Sequence, residues 1–215
     1  VWIGTDRGAA VLRGDRWVVP PGAEDLPSTL IRDLTVSPNG AVWGVLDEGG
    51  IAVFSATGAS LAVTAADGLP TDRIWSLAHA RDGAVLVGTD QGLWIHDPSG
   101  EAPNRFVDRS AGLPSSSVIS VLETPDQRIW VGTSTGVARV DRGGVVTDVF
   151  TSHDGLSGTE AAQGGLFLHS SGDLWIGMAE GATLVNTDRL ADRSEVVPEL
   201  VVESILLNGE PIPDF

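Results

Sequence analysis

Four segments of this chain repeat one plan in register, and that repeat constrains the fold more than any other feature. They run from Leu26-Pro27 through Val42-Trp43 to Val53-Phe54, from Gly68-Leu69-Pro70 through Val87-Gly88-Thr89 to Gly92-Leu93, from Gly112-Leu113-Pro114 through Trp130-Val131-Gly132-Thr133 to Gly136-Val137, and from Gly155-Leu156 through Trp175-Ile176-Gly177 to Gly181. The marker leucines Leu26, Leu69, Leu113 and Leu156 are spaced by 43, 44 and 43 residues. The opening Trp2-Ile3-Gly4-Thr5 reads as the second half of a fifth copy, so the chain starts inside a strand and reads as part of something longer. Self-similarity at a fixed period of this length is the signature of a repeat architecture.

Each copy reads as four short strands. In the third, Val118 to Leu122 alternates and is β-branched, a turn at Pro125-Asp126-Gln127 follows, and Ile129 to Val131, Val137 to Val140 and Val145 to Phe150 complete the set between further Gly/Asp/Ser turns. No useful 3.6-residue periodicity appears, so helices should be scarce. The expected class is therefore all-β, a β-propeller of four-stranded antiparallel blades with about 4.5–5 repeats present. Stacking blades about an axis buries both faces of each sheet, which one such sheet cannot do alone. An open β-solenoid is the competing architecture, but its repeats are usually shorter.

Composition narrows the function classes. The net charge is −16, a field that repels polyanions, so nucleic acid is not an expected partner. There is no Cys, which removes disulfides and thiolate metal sites. No run of about 18 apolar residues occurs, so no membrane span is expected within the chain.

The repeat resembles the two-component-regulator propeller family. That family's pattern is a Gly-Leu-Pro-Ser/Asn lead-in, a Val-containing inner strand and Gly-x-Leu-Trp-Ile-Gly-Thr-x-x-Gly-Leu. Gly112-Leu113-Pro114-Ser115, Val118, Ile129-Trp130-Val131-Gly132-Thr133 and Gly136-Val137 follow it, as does Ser171-Gly172-Asp173-Leu174-Trp175-Ile176-Gly177. The resemblance spans about 1–186. It departs at Val45, which stands where the glycine belongs, at Leu86 in place of Trp, and at Ser157 in place of Pro. It divides the chain into a half blade 1–25, repeats at about 26–67, 68–111, 112–154 and 155–186, and a linker 187–197. Residues 198–215 are similar to the first strand and turn of the immunoglobulin-like module that often follows such propellers, or else supply a strand, Leu200 to Leu206, that completes the first blade. The resemblance implies the sensor half of a bacterial signalling protein, periplasmic or extracellular, with no cofactor.

Trp2, Trp43, Trp130 and Trp175 share one position on the second strand of each copy and are assigned to blade-to-blade packing, where an aromatic buries roughly 150–250 Å². Gly4, Gly88, Gly132 and Gly177 are assigned to close backbone approach beside them. The inner strands carry a buried set, Ile31, Ile74, Val118 and Ala161, whose followers are Arg32, Trp75, Ile119 and Ala162. Side chains alternate across a strand, so if the first set packs, the followers point elsewhere. These followers differ among copies whose other positions agree, and so do the residues before the buried set, Leu30, Arg73, Ser117 and Glu160. Arg32, Arg73, Trp75, Glu160 and Gln163 are the candidate ligand-binding residues at one mouth of the ring, where two guanidiniums beside an indole suit an anionic or sugar-like ligand. A variable solvated rim is the other reading of the same positions.

His79, Glu123 and Val36 align at the end of the inner strand, with His169 displaced by one, so a histidine–carboxylate metal site has an imperfect register behind it. No metal ligand and no catalytic residue is assigned. No Gly-x-Ser-x-Gly occurs, and the pair Asp47-Glu48 reads as a solvated hairpin turn.

Three functions compete. The first is a non-enzymatic sensor or receptor propeller that binds a small molecule or glycan fragment at the axial mouth. The second is a protein–protein scaffold, with a second copy of the chain recruited through open blade edges. The third is a glycan-acting propeller enzyme, a lyase or hydrolase. Propellers host many activities, so fold analogy alone does not decide among them.

Overall fold

A computed structural model describes residues 1–48, 50–55, 57–187, 190, 206–207 and 210–211. The chain is all-β, and its helical content is limited to four 3-10 turns among the described residues. Blade 1 comprises β1 (Trp2–Thr5), β2 (Gly8–Arg13) and β3 (Arg16–Val18). Blade 2 comprises β4 (Ile31–Val36), β5 (Val42–Leu46), β6 (Ile51–Ser55) and β7 (Gly58–Val63). Blade 3 comprises β8 (Ile74–His79), β9 (Val85–Thr89), β10 (Leu93–His96) and β11 (Arg105–Val107). Blade 4 comprises β12 (Val118–Glu123), β13 (Ile129–Thr133), β14 (Gly136–Val140) and β15 (Val146–Phe150). Blade 5 comprises β16 (Ala161–Leu168), β17 (Asp173–Met178) and β18 (Gly181–Asn186). Each is an antiparallel meander in sequence order, and β4, β8, β12 and β16 are the inner strands, each against the next. The strands of blade 1 match the second to fourth of the others, because Trp2-Ile3-Gly4 occupies the position of Trp130-Val131-Gly132.

A short ladder pairs β19 (Leu206–Leu207) with β20 (Glu210–Pro211). Apart from these pairs and residues 187 and 190, the linker 187–197 and the module expected over 198–215 lie outside the described residues.

The marker Gly-Leu has a local cause. Asp108 caps the turn Arg109–Ala111 by accepting from the backbone N–H groups of Ser110 and Ala111. Gly112 then leaves that turn in the left-handed region, at φ 107°, where a side chain is strained. The chain swings inward and Leu113, only 3% exposed, drops between blades 3 and 4. Thr64 and Thr151, each with an Asp three residues on, build the same turn ahead of Leu69 and Leu156.

The core lies between the blades rather than within them. One apolar cluster joins blade 1 to blade 2 through Ala9, Ile31 and Phe54. The next joins Val45 and Ile51 of blade 2 to Ile74, Val87 and Trp94 of blade 3. A third joins Leu86 and Ile95 to Val118 and Val131, and a fourth joins Trp130 and Phe150 to Leu156, Leu174 and Ile176. The glycines face these seams. A Cβ at Gly88 would lie 2.7 Å from the carbonyl oxygen of Val118 on the next blade, and one at Gly132 would lie 2.8 Å from the Ala161 Cβ. A Cβ at Gly4 would meet Ile31 at 2.7 Å, whereas one at Gly177 would come no nearer than 3.3 Å to Gly165 of its own blade.

The shared tryptophan position packs unevenly. Trp130 is 2% exposed, stacked on Phe150 at 5.5 Å and covered by blade 5. Trp2 is half-buried against Phe54, and Trp43 is half-buried with the His79 ring edge-on at 5.2 Å. Trp175 departs from its assignment to packing, being 43% exposed. It lies in a row with Phe167 and Leu184, which are its cross-strand partners and are also exposed. The equivalent row of blade 4 is buried by blade 5, and no further blade covers the row of blade 5 among the described residues. Trp94, off the repeat position, is buried instead, at 3% exposure.

Polar bonds cross the seams as well. Leu77 N–H donates to Asp33 Oδ2 of the preceding blade at 2.9 Å. Burial pushes the Asp33 carboxyl above its ordinary value of 3.8, against the two backbone donors that lower it. The folded state therefore holds this proton more tightly than the unfolded chain, and stability is lost as pH rises through and above 3.8. Asp33→Asn keeps an oxygen to accept from Leu77 N–H without a buried charge. It is expected to be more stable than the parent in urea unfolding at pH 7, with the gap closing near pH 4; a variant less stable at both pH values would refute this assignment.

Candidate functional site at the axial mouth

A β-bulge near the start of each inner strand positions the candidate residues. Pairing steps from Ile31–Leu46 to Asp33–Val45, from Ile74–Thr89 to Ser76–Gly88 and from Val118–Thr133 to Ser120–Gly132. Arg32, Trp75 and Ile119 are thus the unpaired residues of three equivalent bulges. The ladder is locally broken at these followers, and a bulge re-aims its side chain and frees it from packing, which adds to the alternation argument.

The five predicted residues fall around two adjoining cavities. Arg32, Arg73 and Trp75 line one of about 500 Å³, together with Asp47, Glu48, Asp72 and Ile74. Trp75, Glu160 and Gln163 line the other, of about 350 Å³, with Ser117, Ile119 and alanines 161, 162 and 179. Trp75 is common to both and forms the wall between them. The Arg32 guanidinium sits 5.6 Å from the centroid of the Trp75 ring. Across the mouth, Gln163 Nε2 donates to the Trp75 carbonyl oxygen at 2.9 Å. The indole N–H of Trp75 is buried and has no acceptor among the described residues.

Two features were not foreseen from the sequence. Asp47 is not a solvated turn residue: it accepts from Arg32 Nε and forms an ion pair with the same guanidinium, at 29% side-chain exposure. The available signal was its place directly after the second strand of the blade that carries an arginine in its bulge. With Asp47, Glu48 and Asp72 in the wall, the first cavity mixes donors and acceptors rather than presenting a bare arginine pair. Arg73 has no carboxylate at ion-pair distance among the described residues, and beside it Asp90, whose backbone N–H donates to the Arg73 carbonyl, holds a buried Oδ1 without a donor.

The aligned histidine and carboxylate do not form a metal centre. No group of three or more His, Cys, Asp or Glu is placed to hold a metal among the described residues. Glu123 is engaged elsewhere, accepting from Arg142 at 2.9 Å and from the Arg81 backbone N–H at 2.7 Å. Burial against Trp43 lowers the His79 pKa, which favours the neutral ring.

Residues 112–135, the heart of blade 4, match the family model described as two component regulator propeller. The chain carries that repeat. Its fold is shared with the extracellular domain of a hybrid two component system, BT3049, from B. thetaiotaomicron, at TM-score 0.78 and 18% identity, covering 99% of this chain and 31% of that one. A second such extracellular domain from the same organism, BT4673, aligns at TM-score 0.63 and 21% identity, covering 88% of this chain and 25% of that one. The virginiamycin B lyase of Staphylococcus aureus also aligns, at TM-score 0.63 and 16% identity, covering 87% of this chain and 63% of that one. The chain therefore spans about a third or less of the two extracellular domains. No curated protein matches it significantly. A fold common to these extracellular domains and a lyase establishes the propeller and leaves activity to the site. No helix among the described residues is long and apolar enough to cross a membrane.

Proposed function

We propose that this two-component-regulator propeller is the ligand-binding part of a bacterial signal-transduction protein, periplasmic or extracellular, and that its axial mouth takes a glycan fragment or similar hydroxyl-rich small molecule. One observation carries the reading. Trp75 stands between two cavities with an arginine over its ring and a wall of mixed charge beside it. A sugar suits this arrangement. Its C–H face stacks on the indole, and its hydroxyls both donate and accept, as a wall of Arg32, Asp47, Glu48, Asp72 and Arg73 requires. A simple anion suits the wall less well, because Asp47 already neutralises Arg32. The repeat match and the likeness to extracellular domains of two component systems support the signalling context.

A binding module is favoured over an enzyme by the likeness to the extracellular domains of two component systems. A scaffold is the second reading, favoured by the exposed row of Phe167, Trp175 and Leu184. Calorimetric titration with neutral cello-, xylo- and malto-oligosaccharides, and with their uronic-acid counterparts, separates these readings. Binding of at least one neutral series is expected, weakened roughly tenfold or more in Trp75→Ala through the lost stacking. Heat from none of them, or affinity unchanged by Trp75→Ala, would remove the mouth as the site.

A further inference from the structure

Blade 5 departs from the other blades at its bulge. Its pairing steps from Ala161–Met178 directly to Leu166–Ile176, so Ala162 to Gly165 stand opposite Gly177 alone. Blades 2, 3 and 4 each leave a single inner-strand residue unpaired at this point. The longer excursion depends on glycine. Gly164 sits at φ 63°, and a Cβ on Gly165 would lie 2.8 Å from the carbonyl oxygens of Ala162 and Gly177. Its far end is tied down, because Leu166 N–H donates to Ser120 Oγ of blade 4 at 3.2 Å. Its tip carries Gln163, whose bond to the Trp75 carbonyl passes over blade 4 and reaches blade 3.

We infer that Gln163 is a latch across the axial mouth, closed by its one bond to Trp75 and opening to widen the second cavity, which it lines. Its use in signalling rests on the reading of the mouth as a ligand site; the latch itself does not. Three observations support it. The bond is exposed and neutral, the kind that shifts a population by only roughly 2- to 10-fold, so the closed form dominates while the open form stays accessible. Gly164 and Gly165 at the base of the tip supply backbone freedom for a hinge. The tip also lines the second cavity, so a hydroxyl placed there gives the Gln163 amide another acceptor and frees the Trp75 carbonyl.

The chain has seven tryptophans, so the full chain labelled with 5-fluorotryptophan gives seven fluorine signals, and loss of one in Trp75→Phe identifies Trp75. Gln163→Ala removes the donor, and Gln163→Glu keeps the length but places there a carboxylate that cannot donate to a carbonyl. In both variants the Trp75 signal is expected to move as its carbonyl loses the Gln163 donor and the tip is released, while the other six hold their positions. A Trp75 signal unmoved in either variant would overturn the latch, since both remove the donor. Movement of all signals in both variants would overturn it too, because Gln163 would then be a packing residue. No ligand enters this measurement. A still Trp75 signal leaves the saccharide reading intact, and a failed saccharide titration leaves the latch intact.

Discussion

Trp130→Ala is expected to lower unfolding stability by about 3–5 kcal/mol, which is roughly 6–20 °C in melting temperature for a chain of this size. The indole is 2% exposed, stacks on Phe150, and carries the blade 5 residues Leu156, Leu174 and Ile176 on its other side. Removing it opens a cavity in the seam between blades 4 and 5, which two sheets cannot both collapse to fill. Trp175→Ala is the matched control. It occupies the same repeat position on the last described blade but is 43% exposed, so its loss is expected to cost well under half as much. Thermal or urea unfolding of the two variants reads the difference, and equal losses would show that the exposed row is covered in solution.

The second large effect is expected at a buried ion pair on the same seam. Arg139 and Asp148 are cross-strand partners in β14 and β15, 4% and 6% exposed. Arg139 donates through Nε at 2.8 Å and Nη2 at 2.5 Å to Asp148 Oδ2. Its guanidinium carbon lies 5.9 Å from the ring centroids of both Trp130 and Phe150. Removing the carboxylate takes a buried, charged acceptor from two guanidinium donors, so Asp148→Ala is expected to cost about 3–5 kcal/mol. Replacing both partners together, as Arg139→Met with Asp148→Leu, removes the charge and keeps the volume, so most of that loss is expected to return. Urea unfolding of the single and double variants tests this, and a double variant as unstable as the single would mean the pair contributes through shape alone.

The blade architecture was legible because the same local chemistry recurs, the capped turn three times and the strand glycine four times. A leucine after a capped turn and a glycine beside an apolar strand each have one structural solution, and repetition in register made that solution visible. The mouth was legible in part. Disagreement among aligned copies picked out Arg32, Arg73, Trp75, Glu160 and Gln163, and these do gather around two adjoining cavities. The reason they gather was not legible, because a bulge is a property of pairing register and not of composition. The longer excursion in blade 5 did leave a trace. From Leu69 to Gly88 and from Leu113 to Gly132 the interval is 19 residues, whereas from Leu156 to Gly177 it is 21. Asp47 was misread because a turn carboxylate looks solvated until an arginine from the neighbouring strand is placed over it. The exposure of Trp175 was invisible for a different reason: its burial depends on which sheet lies beside it, a question that its own repeat cannot answer.

The seams give this molecule the mechanics of a linear chain of coupled units, in which each blade feels only its neighbours. Such a chain is firm in the middle, where a unit is gripped from both sides, and soft where a unit is gripped from one. Gln163 adds a second-neighbour link, from the fifth unit to the third, without passing through the unit between them. A disturbance at the mouth therefore has a direct route between these two units that the apolar seams alone do not provide.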